Sequence, residues 1–284
     1  MPLTTSKNIL IRAYKEGWAV GAFNANNLEY VQAIIEACAE EKAPVILQAS
    51  QGAIKYAGLH NIVDMIKNVA DSVSIPVVLH LDHGTDFKQN VECLKAGFTS
   101  LMFDGSLLSY QDNVRISKSL VDMAHAVGIP VEAELGRVGG SEEGIDEKEI
   151  EMLMTNPEEA EQFVKETGID SLAVAVGSIH RLLKQEAKLD LPRIKKIREK
   201  IDLPLVLHGS SGVLDEYIVE GIKLGIAKIN VATELNKAFV QGMKVGLNKF
   251  PEEVDPRKIL KFSKDLVKEV VKNKVRLFGA SNRV

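Results

Sequence analysis

Six histidines occur in this 284-residue chain, and three of them, His83, His180 and His208, fall where short apolar runs give way to polar residues. Carboxylates stand at the ends of the same or neighbouring runs: Asp82 directly before His83, then Asp104 and Glu134. Three imidazoles converging with carboxylates point to a divalent metal with an open coordination position, zinc before others. A lone histidine at a strand end is more often a hydrogen-bonded structural residue, but the three together with their acids reverse that reading. His80, two residues before Asp82, shares its face at a deeper position and reads as a packed residue or one supporting a ligand. His60 and His125 read as loop and helix-surface residues.

A second group follows His208. It comprises Gly209, Ser210, Ser211 and Gly212, with Asn230, Val231, Ala232 and Thr233 one run later. Glycine permits close backbone approach to an anion, and the Ser211 and Thr233 hydroxyls can donate to phosphate oxygens. In isolation the GSSG stretch is equally a turn with a helix cap. A third group, Glu142 and Glu143, lies in a glycine-flanked segment over 139–155. That segment reads as a mobile lid carrying a base or, with equal weight, as a solvated acidic loop.

The elements that must position these groups repeat along the chain. Short apolar, β-branched runs at 19–24, 44–50, 76–83, 100–106, 130–136, 170–178, 204–211 and 226–232 alternate with stretches of helical periodicity. Four runs open with proline, which is tolerated at a first strand position and ends the preceding helix. Strand–helix alternation calls for a parallel sheet, and eight units are the number that closes a (β/α)8, or TIM, barrel. A doubly wound open sheet also fits the alternation but usually has fewer strands. In a closed barrel every run exits at one end, which gathers the distant histidines and places the GSSG and NVAT loops where barrels commonly bind phosphate. An extra helix precedes the repeats at about 6–16, and a helical extension follows them at 233–249 and from 256 to about 274. The tail, 278–284, reads as polar and loosely held. The whole chain, 1–284, reads as one domain.

Composition bounds the partners. Hydrophobic residues make up 45% of the chain, enough for a large core, and the net charge is −4 with no basic run, so no nucleic-acid footprint appears. No stretch has the length of a signal-peptide core or a membrane span. Cys38 and Cys93 both fall in helical patterns and read as reduced thiols, and the chain reads as cytoplasmic.

With HLDHG, EAELG, GSIH, HGSSG and NVATEL in order, the chain resembles the class II, zinc-dependent ketose-bisphosphate aldolases over essentially its whole length. The TNPEEA stretch and NVATELNKAF are most similar to the tagatose-bisphosphate branch, and HLDHGTDF and FGASNR to the fructose-bisphosphate branch. The resemblance implies reversible cleavage of tagatose or fructose 1,6-bisphosphate to dihydroxyacetone phosphate and glyceraldehyde 3-phosphate. It implies that His83, His180 and His208 bind zinc, with Asp104 and Glu134 at a second or alternative metal position. Asp82 is then the proton donor and acceptor on the hydroxyl at the breaking bond, and Glu142 or Glu143 exchanges a proton with carbon. Gly209, Ser210, Ser211 and the run Asn230, Val231, Ala232 and Thr233 bind the phosphate and hydroxyls of dihydroxyacetone phosphate, and Asn24 and Ser50 contact substrate. The resemblance also implies a site for a monovalent cation, Na+ or K+, beside the phosphate. Arg283 resembles an arginine that in some members reaches a neighbouring subunit's distal phosphate, and the resemblance implies a homodimer or homotetramer.

The chain departs from the family pattern at Arg181, where members usually carry glycine. Arginine there either supplies a charged phosphate contact or obstructs the site. Three other readings stay open: an aldolase for another phosphorylated keto sugar of the 6-phospho-5-dehydro-2-deoxygluconate type, a phosphosugar-binding relative without turnover, and Schiff-base chemistry at Lys228. Metal-dependent hydrolysis is disfavoured, because Phe23-Asn24-Ala25 stands where such barrels place a His-x-His pair.

Overall fold

The computed structural model describes residues 3–138, 153–179 and 185–284. Eight strands form one parallel sheet: β1 (Val20–Asn24), β2 (Val45–Ser50), β3 (Val77–Asp82), β4 (Leu101–Phe103), β5 (Val131–Leu135), β6 (Ser171–Val174), β7 (Leu205–Leu207) and β8 (Ile226–Val231). Their order is β3-β2-β1-β8-β7-β6-β5-β4. The two ends of that row meet. Isolated parallel bridges join His80 to Ser100 and Gly84 to Phe103, Leu81 N–H donates to Ser100 O at 3.1 Å, and Asp104 N–H donates to Gly84 O at 3.0 Å. The sheet is therefore a barrel with one irregular seam, between β3 and β4.

Helices α2 (Leu28–Glu40), α3 (Gln51–Ala57), α4 (Leu59–Ala70), α5 (Phe87–Ala96), α6 (Tyr110–His125), α7 (Pro157–Thr167), α8 (Leu191–Lys200) and α9 (Asp215–Lys223) follow the strands. Local chemistry sets their starts. Asn27, Ser50, Asp86, Ser109, Asn156 and Asp190 each accept a backbone N–H of the first turn, and Pro157 supplies a preset φ behind Asn156. Helix α3 is absent from the sequence expectation: seven residues are too few to show a 3.6-residue period. His60, expected in a loop, sits exposed in the first turn of α4.

Side chains alternate along each strand, so residues two apart share a face. One face of each strand packs on the helices in a large apolar core. The other points into the barrel, where a small apolar cluster of Met102, Ala173 and Val206 is accompanied by buried His80, Glu132 and Lys228. One step nearer the strand exits, the same parity places Asp82, Glu134 and Asn230.

Helix α1 (Ser6–Glu16) lies across the strand-entry end. Thr4 N–H donates to Val77 O, Ser6 Oγ pairs with Ser100 Oγ at 2.9 Å, and Lys7 Nζ meets Asp170 Oδ1 at 2.9 Å. Helices α10 (Thr233–Lys249) and α11 (Pro256–Leu277) form an antiparallel pair, with α11 also lying on α2 through Lys268–Glu40 and Lys272–Glu40 ion pairs. The tail departs from expectation. Phe278 and Ala280 are buried, and Asn282 and Arg283 donate their N–H groups to Glu41 O and Lys42 O. Cys38 and Cys93 are free and buried. Among the described residues no helix is long and apolar enough to cross a membrane.

Candidate active site

Strand β3 ends at Asp82, and the chain then turns sharply: His83 has φ +51°, the left-handed region that a β-carbon disfavours and that persists where the surroundings impose it. Gly84 follows because a β-carbon there would lie 2.6 Å from Met102 O. The turn brings the His83 ring against groups from three other strand ends. Its Nδ1 is 2.7 Å from Asp104 Oδ2, and its Nε2 is 3.0 Å from His208 Nδ1. Glu134 Oε2 lies 3.9 Å from His83 Nδ1 and 3.6 Å from His208 Nδ1. On its far side, His208 Nε2 is 3.0 Å from Glu132 Oε1.

Asp82 is held at both oxygens. Asn24 Nδ2 donates to Oδ2 at 2.8 Å and Asn230 Nδ2 to Oδ1 at 3.2 Å, while Gln48 Nε2 donates to Asn24 Oδ1 at 2.7 Å and fixes the Asn24 amide. Burial would raise the Asp82 pKa, but the His83 and His208 rings and the Lys228 charge outweigh it and hold it below the usual carboxylate value. For His83 burial works the other way, and the carboxylates of Asp82, Asp104 and Glu134 prevail to set its pKa at about 10. Glu134 is pushed up to about 8 by burial and then by the Asp104 charge. His80 stays neutral, lowered well below its ordinary value by burial and the Lys228 ammonium.

The donor set fits a metal. Asp82, His83 and His208 offer ligand atoms within 4.8 Å of one another, and so do His83, Asp104 and Glu134. Tetrahedral ligands at zinc distances of about 2.1 Å stand about 3.4 Å apart, close to the 3.0 Å between His83 Nε2 and His208 Nδ1. Glu134 Oε2 is buried and finds no hydrogen-bond partner among the described residues, a potential ligand atom that faces two imidazoles.

A cavity of about 610 Å³ opens above this cluster. Expected residues Asn24, Ser50, Asp82, Asp104 and Glu134 line one side, and Gly209, Ser210, Ser211, Asn230, Ala232 and Thr233 line the other. The last group surrounds the N-terminus of α10, which has no side-chain cap, and a 3-10 turn at Ser210–Gly212 entered through Gly209 at φ +64°. Some details differ from expectation. The Ser210 hydroxyl donates to Asn230 O and ties the two loops together. The Val231 side chain is wholly buried in the outer core. Arg283 lies at the opposite end of its own barrel, its guanidinium over the Trp18 ring and 3.3 Å from Glu16 Oε2. Lys228 is wholly buried, with Nζ 2.9 Å from Glu132 Oε2. His180, Arg181, Glu142 and Glu143 lie outside the described residues.

Sequence reasoning missed Gln48, Arg137, Asn236 and Glu132. Gln48, Arg137 and Asn236 line the cavity, and Glu132 supports His208 from below. The two-residue strand period would have found Gln48 behind Ser50 and Glu132 behind Glu134. Arg137 and Asn236, outside the strands, carry no such signal.

An eight-stranded parallel barrel with imidazoles and carboxylates at its strand exits defines a class of metal-dependent barrel enzymes. The family model described as fructose-bisphosphate aldolase class-II matches residues 4–283, and the chain belongs to that family of metal-dependent lyases. It is 44% identical over 304 residues to a fructose-bisphosphate aldolase of Thermus caldophilus, covering 99% of each chain. The similarity to a Staphylococcus aureus fructose-bisphosphate aldolase is also 44% over 286 residues, with 100% of this chain and 99% of the relative covered. The crystal structure of the YdjI aldolase from Escherichia coli K12 superposes with a TM-score of 0.87 at 33% identity, over 99% of both chains.

Proposed function

We propose that this chain reversibly cleaves a ketose 1,6-bisphosphate, fructose or tagatose, into dihydroxyacetone phosphate and glyceraldehyde 3-phosphate. The observation that carries the reading is the meeting of His83 and His208 beside a doubly held Asp82 and a Glu134 oxygen that finds no hydrogen-bond partner among the described residues. In this reading His83, His180 and His208 hold zinc, with Asp104 and Glu134 at a second or alternative position. When bound, zinc supplies a Lewis acid that accepts charge from the substrate's carbonyl side as the carbon–carbon bond breaks.

The chain's own residues do the rest. Asp82, ionised and oriented by Asn24 and Asn230, accepts the proton of the hydroxyl on the departing aldehyde half. Glu142 or Glu143 returns a proton to the carbon of the dihydroxyacetone phosphate half from which the aldehyde has departed. Backbone N–H groups of the Ser210–Gly212 turn and the α10 N-terminus bind the phosphate, with the Ser211 and Thr233 hydroxyls beside them. Arg181 adds a charged contact there, and a Na+ or K+ ion sits alongside. Lys228 in its ion pair is engaged elsewhere, which weighs against a Schiff base. The working unit is a homodimer or homotetramer, a reading supported by exposed Val240 (49%), Leu247 (51%) and Val254 (92%) on α10 and just beyond it.

Coupled assays on both purified epimers, with and without EDTA, test the proposal. Chelation should abolish cleavage, and zinc or cobalt should restore it. An aldolase activity indifferent to EDTA, or a borohydride-trapped adduct at Lys228, would sink it.

A further inference from the structure

The barrel interior holds an ion pair for which the proposed chemistry has no use. Glu132 and Lys228 are 2% and 0% exposed, with Nζ 2.9 Å from Oε2. Removing two such charges from water costs several kcal/mol per ion, and the pair is a weak source of stability. Its surroundings suggest another role. The second Glu132 oxygen, Oε1, is the one 3.0 Å from His208 Nε2. Lys228 Nζ is also 3.3 Å from His80 Nε2, His80 Nδ1 is 2.8 Å from Ser100 Oγ, and Ser100 Oγ is 2.9 Å from Ser6 Oγ. Glu132 is thus anchored from behind by a hydrogen-bonded line that runs down the barrel to α1.

Donor and acceptor chemistry fixes the consequence. A carboxylate only accepts and an ammonium only donates, so the His208 nitrogen facing Glu132 must carry the hydrogen. Its other nitrogen, Nδ1, then presents its lone pair toward His83 Nε2, 3.0 Å away, and Glu134 Oε2, 3.6 Å away.

We infer that Glu132, held in place by Lys228, is a positioning residue that fixes the ring plane and tautomer of His208 so that Nδ1 faces the metal position. This inference rests on the reading of the site as a metal centre. A carboxylate behind a ligating imidazole sets the ring's tautomer and raises its basicity, and losing such a partner costs about 10–100-fold in metal affinity.

Two variants test it: Glu132→Gln, and Glu132→Leu combined with Lys228→Met, which removes both charges together so that neither is left buried alone. Metal-stripped protein is titrated with Zn2+ or Co2+ against a chromophoric chelator, and the His208 ring nitrogens are followed by 1H–15N NMR. The double variant should keep a melting temperature near wild type, bind metal about 10–100-fold more weakly, and lose the single Nε2–H tautomer. Glu132→Gln, which retains an acceptor oxygen, should fall between. If the double variant does not fold, the single variant decides by the same two readouts. Folded variants with wild-type affinity and an unchanged His208 tautomer would overturn the inference while leaving the metal centre intact. A wild-type protein that takes up no ion would instead sink the metal reading, and the inference with it.

Discussion

At the scale of single residues, the site depends on one carboxylate and one imidazole at successive positions with opposite electrostatic settings. Asp82 is buried yet kept ionised by its neighbours, and His83 is buried yet kept protonated by its own. Replacing Asp82 with Asn preserves the shape but removes the base, and keeps only one of the two amide contacts, because the Asn NH2 cannot accept from Asn24 or Asn230. Steady-state kinetics should then show kcat lower by about 10²–10⁴-fold with a much smaller change in KM. A variant with near-normal kcat would show that another group takes the proton. The pKa directions also set a sign for metal uptake. His83, raised to about 10, holds a proton at neutral pH in the metal-free protein, as does Glu134, raised to about 8. An incoming ion must displace these protons, so apparent affinity should rise with pH, by about tenfold per unit for each proton released. Competition titrations between about pH 6 and 8 check this, and a flat profile would contradict it.

At the scale of elements, the strands and long helices were legible because burial on two faces and a 3.6-residue period leave plain patterns. The helices Pro157–Thr167 and Leu191–Lys200 begin at a capping Asn or Asp with proline in the first turn, a signal local enough to read without a fold. Strand ends were less legible. The runs expected to reach Ser106, Ser178 and Ser211 leave the sheet at Phe103, Val174 and Leu207: after β6 apolar Ala175 and Val176 stay buried beyond the last ladder bond, and after β4 and β7 the site residues Asp104 and His208 already belong to the exit loops. The helix pair α10–α11 was legible, but its tightness was not. A β-carbon on Gly242 would lie 2.4 Å from Ser263 Cα and 2.6 Å from Phe262 O, so the helices touch through bare backbone. Gly242→Ala would gain about 1 kcal/mol of helix propensity, yet the clash should prevail with a net loss of about 1–3 kcal/mol. Urea denaturation measures it, and a stabilised variant would mean that the pair can separate without penalty.

At the scale of the whole molecule, the two ends of the barrel divide the work. The exit end carries the cavity and the charged cluster, while the entry end is closed by α1 and by a C-terminal tail seated on Trp18, Glu41 and Lys42. The tail was misread because its polar letters hide two buried anchors, Phe278 and Ala280. The irregular join between β3 and β4 has a mechanical meaning. Like a hoop with one loosely fitted stave, the ring should breathe first where isolated bridges replace a full ladder. Asp82 and His83 stand on one lip of that gap and Asp104 on the other, so an ion grasped from both lips would act as a rivet. Amide exchange at Leu81, Ser100 and Asp104 should therefore be the fastest in the sheet when the protein is stripped of metal, and slow selectively on reloading. Equal protection around the whole circumference in both states would show that the join is as firm as the rest.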